Sequence, residues 1–382
     1  MMQRLPQIER PDWRSKMSAL GFGFHSIDGV YWKEHVAYRF SARQIDLFDD
    51  AVAELHAMCL DFVDDFIQAG DWTQLPLPEH AIACIERSWG RREPGLLGRF
   101  DFSWDGSGAP KMLEYNADTP TSLMESSLAQ WFWKVDVQPQ ADQFNSLHEK
   151  LVARWRVLRE QTNGSVLHFA GQYEQEEDAV HLDYLLDTAL QAGWSTRWLA
   201  MGDVGWDGAF FVDHDGERID RLFKLYPWEW IWRDGFSRHA ASDAVRWMEP
   251  PWKLLLSNKA LLAFLWQRHA GHPLLMPAAF AREDLPTDTG YARKPMFSRE
   301  GGGCSLHRAD GALIDAERVF EEPGDWVYQS LAPLPRYEDY WTVVGGWVVG
   351  DEPAGLCIRE DASAITRTAV TSCRITLNES PS

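Results

Sequence analysis

The sequence predicts a mixed α/β fold into which a small α/β unit is inserted. An apolar run at 166–171, a helical pattern at 176–193 and a second strand within 195–206 give the strand–helix–strand order of such a unit. Two further strand-like runs within 98–116 flank a turn signal, which predicts a hairpin. Short strand-like runs at 291–365 alternate with Gly and Pro, and this pattern favours an antiparallel sheet.

Long helices are predicted around these strands. Residues 41–69 carry apolar side chains at helical spacing, and Ser41 offers an N-terminal cap. Three more helices are predicted: 119–134, which begins near Thr119 with Pro120 in its first turn, 145–161, and 257–269, with Ser257 as its cap.

Composition and charge exclude some classes of function. The 382 residues include 57 Asp and Glu against 37 Lys and Arg, a formal net charge of −20. Nucleic-acid binding needs a basic surface that neutralises phosphates, so we do not expect a general nucleic-acid binder. An acidic surface concentrates cations, which suits a substrate such as a polyamine, but the same charge can serve solubility alone.

The sequence favours a cytoplasmic protein. No apolar run approaches the roughly 20 residues needed to span a bilayer. Residues 1–10 are polar and do not resemble a secretory signal. The five cysteines are scattered and form no CxxC pair, which favours reduced thiols over disulfides or a zinc site. We therefore expect no contact with a membrane.

The predicted hairpin carries the first candidate site. Arg99 and Asp101 share one face of its first strand, and Glu114 and Asn116 share one face of its second, because side chains two residues apart point the same way. Two carboxylates and an amide oxygen suit Mg²⁺, which commonly binds one or two carboxylates plus substrate phosphates. The arginine suits a phosphate or a carboxylate. A cross-strand salt-bridge cluster on a solvated sheet face is the alternative.

Two loops could bind anions. The predicted helix start leaves backbone N–H groups free beside the hydroxyls of Thr119 and Thr121, which suits a phosphate or a substrate carboxylate, although an ordinary helix cap has the same sequence. Lys294 and Arg299 precede three consecutive glycines, whose backbone can approach a phosphate closely. A Gly-rich hairpin without a chemical role is the alternative for this second loop.

Other polar residues receive no role from the residues alone. Lys259, near the start of a predicted helix, could reach a phosphate, but a single helical lysine is usually solvated. Gln329 and Arg359 lie in strand-like runs and could be surface residues. Glu176 and Glu177 belong to an acidic group that could receive a polycationic amine. They could equally lie at a solvated helix N-terminus, where the helix dipole favours acids.

Together these segments resemble the synthetase domain of the glutathionylspermidine synthase family. The matching stretches run from near the N-terminus to about residue 365, and LEYNADTPTSL and LFKLYPWEW are long and specific. The matching stretches are ERPDW (9–13), GFGFHSIDG (21–29), GRFDFSWDG (98–106), LEYNADTPTSL (113–123), DQFNSLHEKL (142–151), LFKLYPWEW (222–230), EPPWKLLLSNKALL (249–262), YARKPMFSREG (291–301), VYQSLAPLP (327–335) and GLCIRED (355–361).

The resemblance implies an ATP-grasp fold, in which ATP lies between two α/β subdomains. It implies a single unit over 1–382 with three approximate parts. These are N-terminal helices and a magnesium-binding hairpin in 1–160, a small α/β substrate subdomain in 161–255, and an ATP-binding sheet with a Gly-rich loop in 256–370. The family also has bifunctional members with an amidase domain, which this sequence lacks, so we do not expect it to hydrolyse the conjugate.

The resemblance also implies roles for individual residues. Arg99 and Arg299 match positions that contact the reacting phosphoryl group. The remaining matches are the Mg²⁺ ligands Asp101, Glu114 and Asn116, the ATP-binding residues Arg99, Asp101, Lys259, Lys294, Gln329 and Arg359, the acid-binding residues Thr119 and Thr121, and Glu176 and Glu177 near the polyamine and acid pocket.

The function implied by this resemblance is an ATP- and Mg²⁺-dependent carboxylate–amine ligase that acts through an acyl phosphate on a small acid and a small amine. Two alternatives stay open: glutathionylspermidine synthesis itself, and a non-catalytic nucleotide-binding protein. Gly302, Gly303 and the terminal stretch 369–380 depart from the family pattern. These departures affect the expected substrates more than the use of ATP.

Overall fold

The computed structural model describes residues 2–26, 29, 31–162, 166–172, 174–317 and 325–366, together with the backbone of 371–377. Within these residues the strands form an eight-stranded sheet, a five-stranded antiparallel sheet, a four-stranded parallel sheet and a two-stranded ribbon of Gly205–Trp206 and Phe211–Val212. None of the described helices is both long and apolar enough to cross a bilayer.

The eight-stranded sheet joins segments from both ends of the chain. Its middle strand, Tyr340–Val349, pairs antiparallel with Glu352–Asp361 on one side and with Leu97–Ser103 on the other. Thr371–Leu377 and Trp32–Phe40 form its parallel pair. In order across the sheet the strands are Gln3–Pro6, Trp32–Phe40, Thr371–Leu377, Glu352–Asp361, Tyr340–Val349, Leu97–Ser103 and Lys111–Asn116, with Arg336–Tyr337 paired to Tyr340–Val349.

The long amphipathic helix predicted from the sequence is confirmed as Ala42–Ala69, and it packs on this sheet. The Ser41 hydroxyl accepts a hydrogen bond from the Gln44 amide, and the Gln44 side chain accepts one from the Ser41 amide. This reciprocal pair is a capping box. Gly70 ends the helix in the left-handed conformation, with φ of 65°.

The predicted small α/β unit is also confirmed. Leu167–Gly171 pairs in parallel with Thr196–Ala200 and with Arg221–Leu225, and the helix Glu176–Gln191 connects the first two strands. Arg246–Met248 adds a fourth parallel strand. Parallel neighbours need a crossover connection, usually a helix, which explains why the strand–helix–strand pattern is readable from the sequence.

A single antiparallel sheet over 291–365 was the wrong expectation, because the strands of this segment divide between two sheets. Tyr340–Val349 and Glu352–Asp361 are buried along most of their length, so they need cover on both faces, and they lie inside the large sheet. The five-stranded sheet contains, in order, Ala278–Ala279, Trp326–Ser330, Tyr291–Pro295, Ser305–His307 and Leu313–Ala316.

The remaining helices pack between and against the sheets. Leu147–Glu160 confirms the helix expected at 145–161. The other α-helices of the described chain are Trp13–Ala19, Glu79–Gly90, Gln130–Val137, Trp228–Ile231, Ser237–Ala240 and Ala260–Arg268.

One predicted helix starts later than expected. Helical structure expected from Thr119 begins at Leu123 and passes through the π-helical segment Glu125–Ala129 before Gln130–Val137. Ser122 has φ of 67°, outside the right-handed helical region, so the helix cannot extend back through it. Thr119 and its neighbours therefore lie in a loop.

A second predicted helix also starts later, at Ala260. Asn258, not Ser257, accepts a side-chain hydrogen bond from the Ala260 amide, at 2.9 Å. The Ser257 hydroxyl instead accepts from the amide of Asp118, at 3.3 Å. This tertiary contact joins the loop after the hairpin to the residues just before the helix.

Candidate active site

A cavity of about 460 Å³ lies where the hairpin, the five-stranded sheet and the small α/β unit meet. Most of the residues singled out in the sequence line it, although they come from distant parts of the chain. Those that line it are Arg99, Asp101, Glu114, Asn116, Thr119, Thr121, Lys259, Lys294, Arg299, Gln329 and Arg359. The structure therefore brings these residues together around one cavity, whereas their chemical roles stay predictions.

The hairpin places its polar residues together by strand register. Leu97–Ser103 and Lys111–Asn116 pair antiparallel, with Arg99 opposite Asn116 and Asp101 opposite Glu114. The Asn116 side-chain amide donates to Asp101 Oδ2 at 3.3 Å and to Glu114 Oε1 at 3.0 Å. One amide thus bridges two carboxylates from neighbouring strands.

Asp101 is buried between two guanidinium groups. Arg99 Nε donates to Asp101 Oδ1 at 2.8 Å and Arg99 Nη2 donates to Asp101 Oδ2 at 3.2 Å, while Arg359 contacts Oδ2 as well. Burial opposes the charge on Arg99, but the Asp101 carboxylate outweighs this effect and raises the pKa of Arg99. Two arginines thus contact the Asp101 side chain in the wall of the cavity.

Glu114 faces two lysines. Lys259 Nζ lies 2.9 Å from Glu114 Oε2. Burial would raise the pKa of Glu114, but the ammonium groups of Lys259 and Lys294 outweigh burial and hold that pKa well below its usual range. Glu114 also outweighs burial at Lys259 and raises its pKa, whereas burial lowers the pKa of Lys294.

Side chains of the five-stranded sheet reach across to the hairpin backbone. Lys294 Nζ donates to the Leu113 carbonyl at 2.9 Å and to Gln329 Oε1 at 2.7 Å. The Gln329 side-chain amide donates to the Met112 carbonyl at 3.0 Å. These bonds fix the distance between the two walls of the cavity.

The loop after the hairpin is held by arginines from both sides. Arg299 donates to the Thr119 hydroxyl, and Arg99 donates to the Thr121 carbonyl. The threonines were expected at the first turn of a helix, and that part of the prediction is wrong because the helix starts later. They nevertheless line the cavity, beside the guanidinium groups.

Sequence reasoning missed the residues that anchor this loop. Lys224 Nζ lies 2.5 Å from Asp118 Oδ1, and the Trp228 amide donates to Asp118 Oδ2 at 2.9 Å. Both charged side chains are buried. Lys224 interrupts the apolar strand Arg221–Leu225, and a lysine in a buried strand was a signal that an acidic partner is needed.

The Gly-rich loop contains a glycine that no other residue can replace without strain. Gly301 has φ of 71°, and an added Cβ would lie 2.7 Å from both the Thr366 carbonyl oxygen and Ile365 Cγ2. Gly301 lines the cavity next to Arg299 and Glu300. The absence of a side chain therefore allows the loop to close against 365–366.

Glu176 and Glu177 do not line the cavity. Glu176 is exposed, and Glu177 is half-buried. Burial raises the pKa of Glu177 to about 8, and the nearby Glu125 and Glu300 carboxylates add to this increase. Their assignment to a substrate pocket stays a prediction.

The hairpin is the part of the cavity whose oxygen atoms suit a cation. The described residues contain no group of three or more His, Cys, Asp or Glu side chains that could hold a metal ion. A site of two carboxylates and an amide fits Mg²⁺ better than zinc, because Mg²⁺ takes its remaining oxygen ligands from water and from a nucleotide. Asp101, Glu114 and Asn116 fit that requirement.

Nearly the whole chain matches one family of known proteins. Residues 4–374 match the family described as glutathionylspermidine synthase preATP-grasp. A Haemophilus influenzae protein, provisionally named an acid–amine ligase, is 40% identical over 372 residues, which cover 94% of each chain.

Two further relatives are longer proteins. The trypanothione synthetase of Crithidia fasciculata is 30% identical over 320 residues, 76% of this chain and 48% of that protein. The bifunctional glutathionylspermidine synthetase/amidase of Escherichia coli is 27% identical over 348 residues, 83% of this chain and 55% of that protein. The chain therefore spans about half the length of these two relatives.

A solved structure supports the fold independently. The glutathione synthetase-like effector of Globodera pallida superposes with a TM-score of 0.53 at 11% identity, covering 97% of this chain and all of that one. At this identity the likeness concerns the fold alone.

Proposed function

Because the chain belongs to the glutathionylspermidine synthase family, we propose that it is an ATP- and Mg²⁺-dependent carboxylate–amine ligase. The observation that carries the proposal is the arrangement of the cavity. Two hairpin carboxylates, Asp101 and Glu114, face cations that come from three other segments: Lys259, Lys294 and Arg359. A triphosphate with its metal needs this combination, because carboxylates bind the metal and cationic side chains bind the phosphates.

In the proposed reaction a phosphoryl group of ATP is transferred to a substrate carboxylate, and an amine then displaces phosphate from the acyl phosphate. A carboxylate is a poor electrophile, so its activation must come before the attack by the amine. The residues of the chain contribute positioning and electrostatic stabilisation, which supply most of the catalysis in phosphoryl transfer.

We assign the Mg²⁺ site to Asp101, Glu114 and Asn116. When bound, the ion neutralises negative charge that develops on the phosphates. The cationic partners of these acids, Arg99 and Lys259, already lie in the cavity. With the two carboxylates bound to the metal ion, the side chains of Arg99 and Lys259 would be available to contact phosphate oxygens.

The other residues divide between nucleotide and substrates in this proposal. Lys294, Gln329 and Arg359 hold the nucleotide, with Asp101 and Lys259. The transferred phosphoryl group lies between Arg99 and Arg299, which contact opposite ends of the Thr119–Thr121 loop. That loop binds the acid substrate, and Glu176 and Glu177 stay candidates for the amine side.

A second candidate is glutathionylspermidine synthesis itself, because the Escherichia coli relative carries that name over a region that covers 83% of this chain. The intact set of acids and cations in the cavity speaks against a purely non-catalytic nucleotide-binding protein. The division of the chain into 1–160, 161–255 and 256–370 stays part of the proposal, as does a cytoplasmic location, which free thiols at Cys59, Cys84, Cys304 and Cys357 support.

A screen of ADP release tests the function. Pairs of small acids and amines, including glutathione with spermidine, are incubated with ATP in the presence and absence of Mg²⁺. We expect ADP and an amide product only when acid, amine and Mg²⁺ are all present. Tight ATP binding without turnover for any pair would instead support the non-catalytic alternative.

A further inference from the structure

Glu229 is an acid of the cavity wall to which the roles above give no task. It lies in the short helix Trp228–Ile231, soon after the strand Arg221–Leu225 of the small α/β unit. In the described part of the chain its carboxylate contacts no basic side chain, and Arg299 and Lys224 act on it only from a distance. By contrast, Asp101 and Glu114 each contact a cation.

The charges around Glu229 leave it without a counter-ion. Burial and the Asp118 carboxylate raise its pKa, and Arg299 and Lys224 act on it from a distance. Lys224 is occupied by Asp118 at 2.5 Å, and Arg299 donates to the Thr119 hydroxyl. An acid in this position gains most from a cationic ligand that enters the cavity.

The position of Glu229 relative to the acid-binding loop is fixed. The Trp228 amide, one residue before it, donates to Asp118 Oδ2 at 2.9 Å, and Asp118 directly precedes Thr119. The charged groups that act on Glu229 differ from those that act on Glu114, namely Lys259 and Lys294. Glu229 therefore belongs to the substrate part of the cavity and not to the hairpin metal site.

We propose that Glu229 binds the protonated amino group of the amine substrate and accepts a proton from it before the attack. This inference rests on the proposed ligase function and names the residue that recognises the amine. The expected ligand is an alkylammonium group, because a neutral amine would leave the carboxylate without a counter-charge.

The proton and electron changes follow directly. The Glu229 carboxylate takes one proton from the ammonium group and becomes a carboxylic acid. The lone pair of the neutral nitrogen forms the C–N bond to the acyl carbon, and the C–O bond to phosphate breaks with its electron pair on phosphate. The remaining extra proton on nitrogen leaves with the phosphate, and Glu229 returns its proton to solvent.

The test compares a cationic with a neutral nucleophile in the wild type and Glu229→Gln. The acid and the alkylamine are the pair with the highest rate in the ADP-release screen, and the neutral nucleophile is hydroxylamine at pH 7.5, which traps the activated acid as a hydroxamate. Glu283→Gln removes an exposed acid of equal charge away from the cavity and is the matched control.

We expect Glu229→Gln to lower kcat/KM for the alkylamine by about 10- to 100-fold, because a charge-assisted hydrogen bond contributes about 1.5–3 kcal/mol. The kcat/KM for hydroxamate formation should change by less than about threefold in the same variant. In the wild type, kcat/KM for the alkylamine should rise with pH as Glu229 ionises. This rise should be absent in Glu229→Gln, whereas a mere loss of packing would leave it in place.

Three outcomes would contradict the account, two of them the role of Glu229 and one the ligase function. An alkylamine kcat/KM in Glu229→Gln equal to that of Glu283→Gln, with normal wild-type turnover, would overturn the role of Glu229 and leave the ligase intact. Equal losses with alkylamine and hydroxylamine would also overturn it, because the defect would then precede amine binding. No turnover by the wild type with any pair would contradict the proposed function itself.

Discussion

The hairpin side and the small-unit side of the cavity both present acids, but the surroundings of these acids shift their pKa values in opposite directions. On the hairpin, Lys259 and Lys294 hold the pKa of Glu114 well below its usual range. On the small-unit side, burial and the Asp118 carboxylate raise the pKa of Glu229, and burial raises the pKa of Glu177, which lies outside the cavity, to about 8. The acids of the hairpin side thus have cationic partners before any ligand binds, whereas Glu229 on the small-unit side contacts no basic side chain in the described part of the chain.

The largest effect should come from removing a hairpin carboxylate. Asp101→Asn keeps the shape of the side chain but removes the charge between Arg99 and Arg359. We expect Mg²⁺-dependent ADP release to fall about 100-fold or more, since a bound metal ion contributes several kcal/mol to transition-state stabilisation. Steady-state kinetics measure this change.

The matched control lies in the turn of the same hairpin. Asp105 is exposed, and its carboxylate accepts hydrogen bonds from the amide and the hydroxyl of Ser107, each at 2.8 Å. Asp105→Asn should therefore keep nearly full activity. If Asp101→Asn were as active as Asp105→Asn, the hairpin would have no part in metal binding.

The stability of the small-unit side should depend most on its buried ion pair, Lys224 with Asp118. Lys224→Met leaves the Asp118 carboxylate buried without its ammonium partner, which typically costs about 3–5 kcal/mol. Adding Asp118→Asn should recover part of this loss, because the unpaired charge is gone while the Trp228 amide keeps an acceptor. Urea denaturation measures both variants.

An exposed ion pair provides the scale for that measurement. Arg336 lies 3.4 Å from Asp339, and both side chains are largely in solvent. Arg336→Gln should change stability by less than about 1 kcal/mol. A similarly small change in Lys224→Met would show that the Asp118 contact does not hold the loop.

A smaller effect is expected where the sheet backbone passes Arg99. A Cβ added to Gly345 would lie 2.4 Å from Cys357 Sγ and 3.0 Å from Arg99 Cδ. Gly345→Ala should cost about 1–3 kcal/mol by overpacking and should lower activity further by moving Arg99. Cys357→Ala in the same chain should restore part of both losses, and no restoration would contradict this steric cause.

The smallest effect is a pH dependence at Glu177. A raised pKa means that the folded state binds more protons than the unfolded state, so this residue lowers stability as pH rises from about 4.5 to about 8. Glu177→Gln should therefore gain stability relative to the wild type across that window, by about 1–2 kcal/mol because the side chain is partly solvated. Thermal melts at pH 5 and pH 9 give this difference, and a pH-independent difference would contradict the raised pKa.

Local patterns in the sequence predict the hairpin side of the cavity better than the small-unit side. Strand periodicity alone places Asp101 beside Glu114, and the structure has that register. The ion pair of Asp118 and Lys224 joins residues 106 positions apart, and no local pattern reports such a contact. The same limit explains the misplaced helix start near Thr119, which depends on the backbone of Ser122 and not on the capping residues.

The most direct test is a crystal structure determined with Mg²⁺ and a non-hydrolysable ATP analogue. We predict the triphosphate between the hairpin and the Gly-rich loop, with oxygen atoms of Asp101 and Glu114 about 2.0–2.1 Å from the metal and with Lys259 and Arg359 turned towards phosphate. Nucleotide bound elsewhere, or a metal that contacts neither carboxylate, would contradict the assignment of this cavity as the ligase active site.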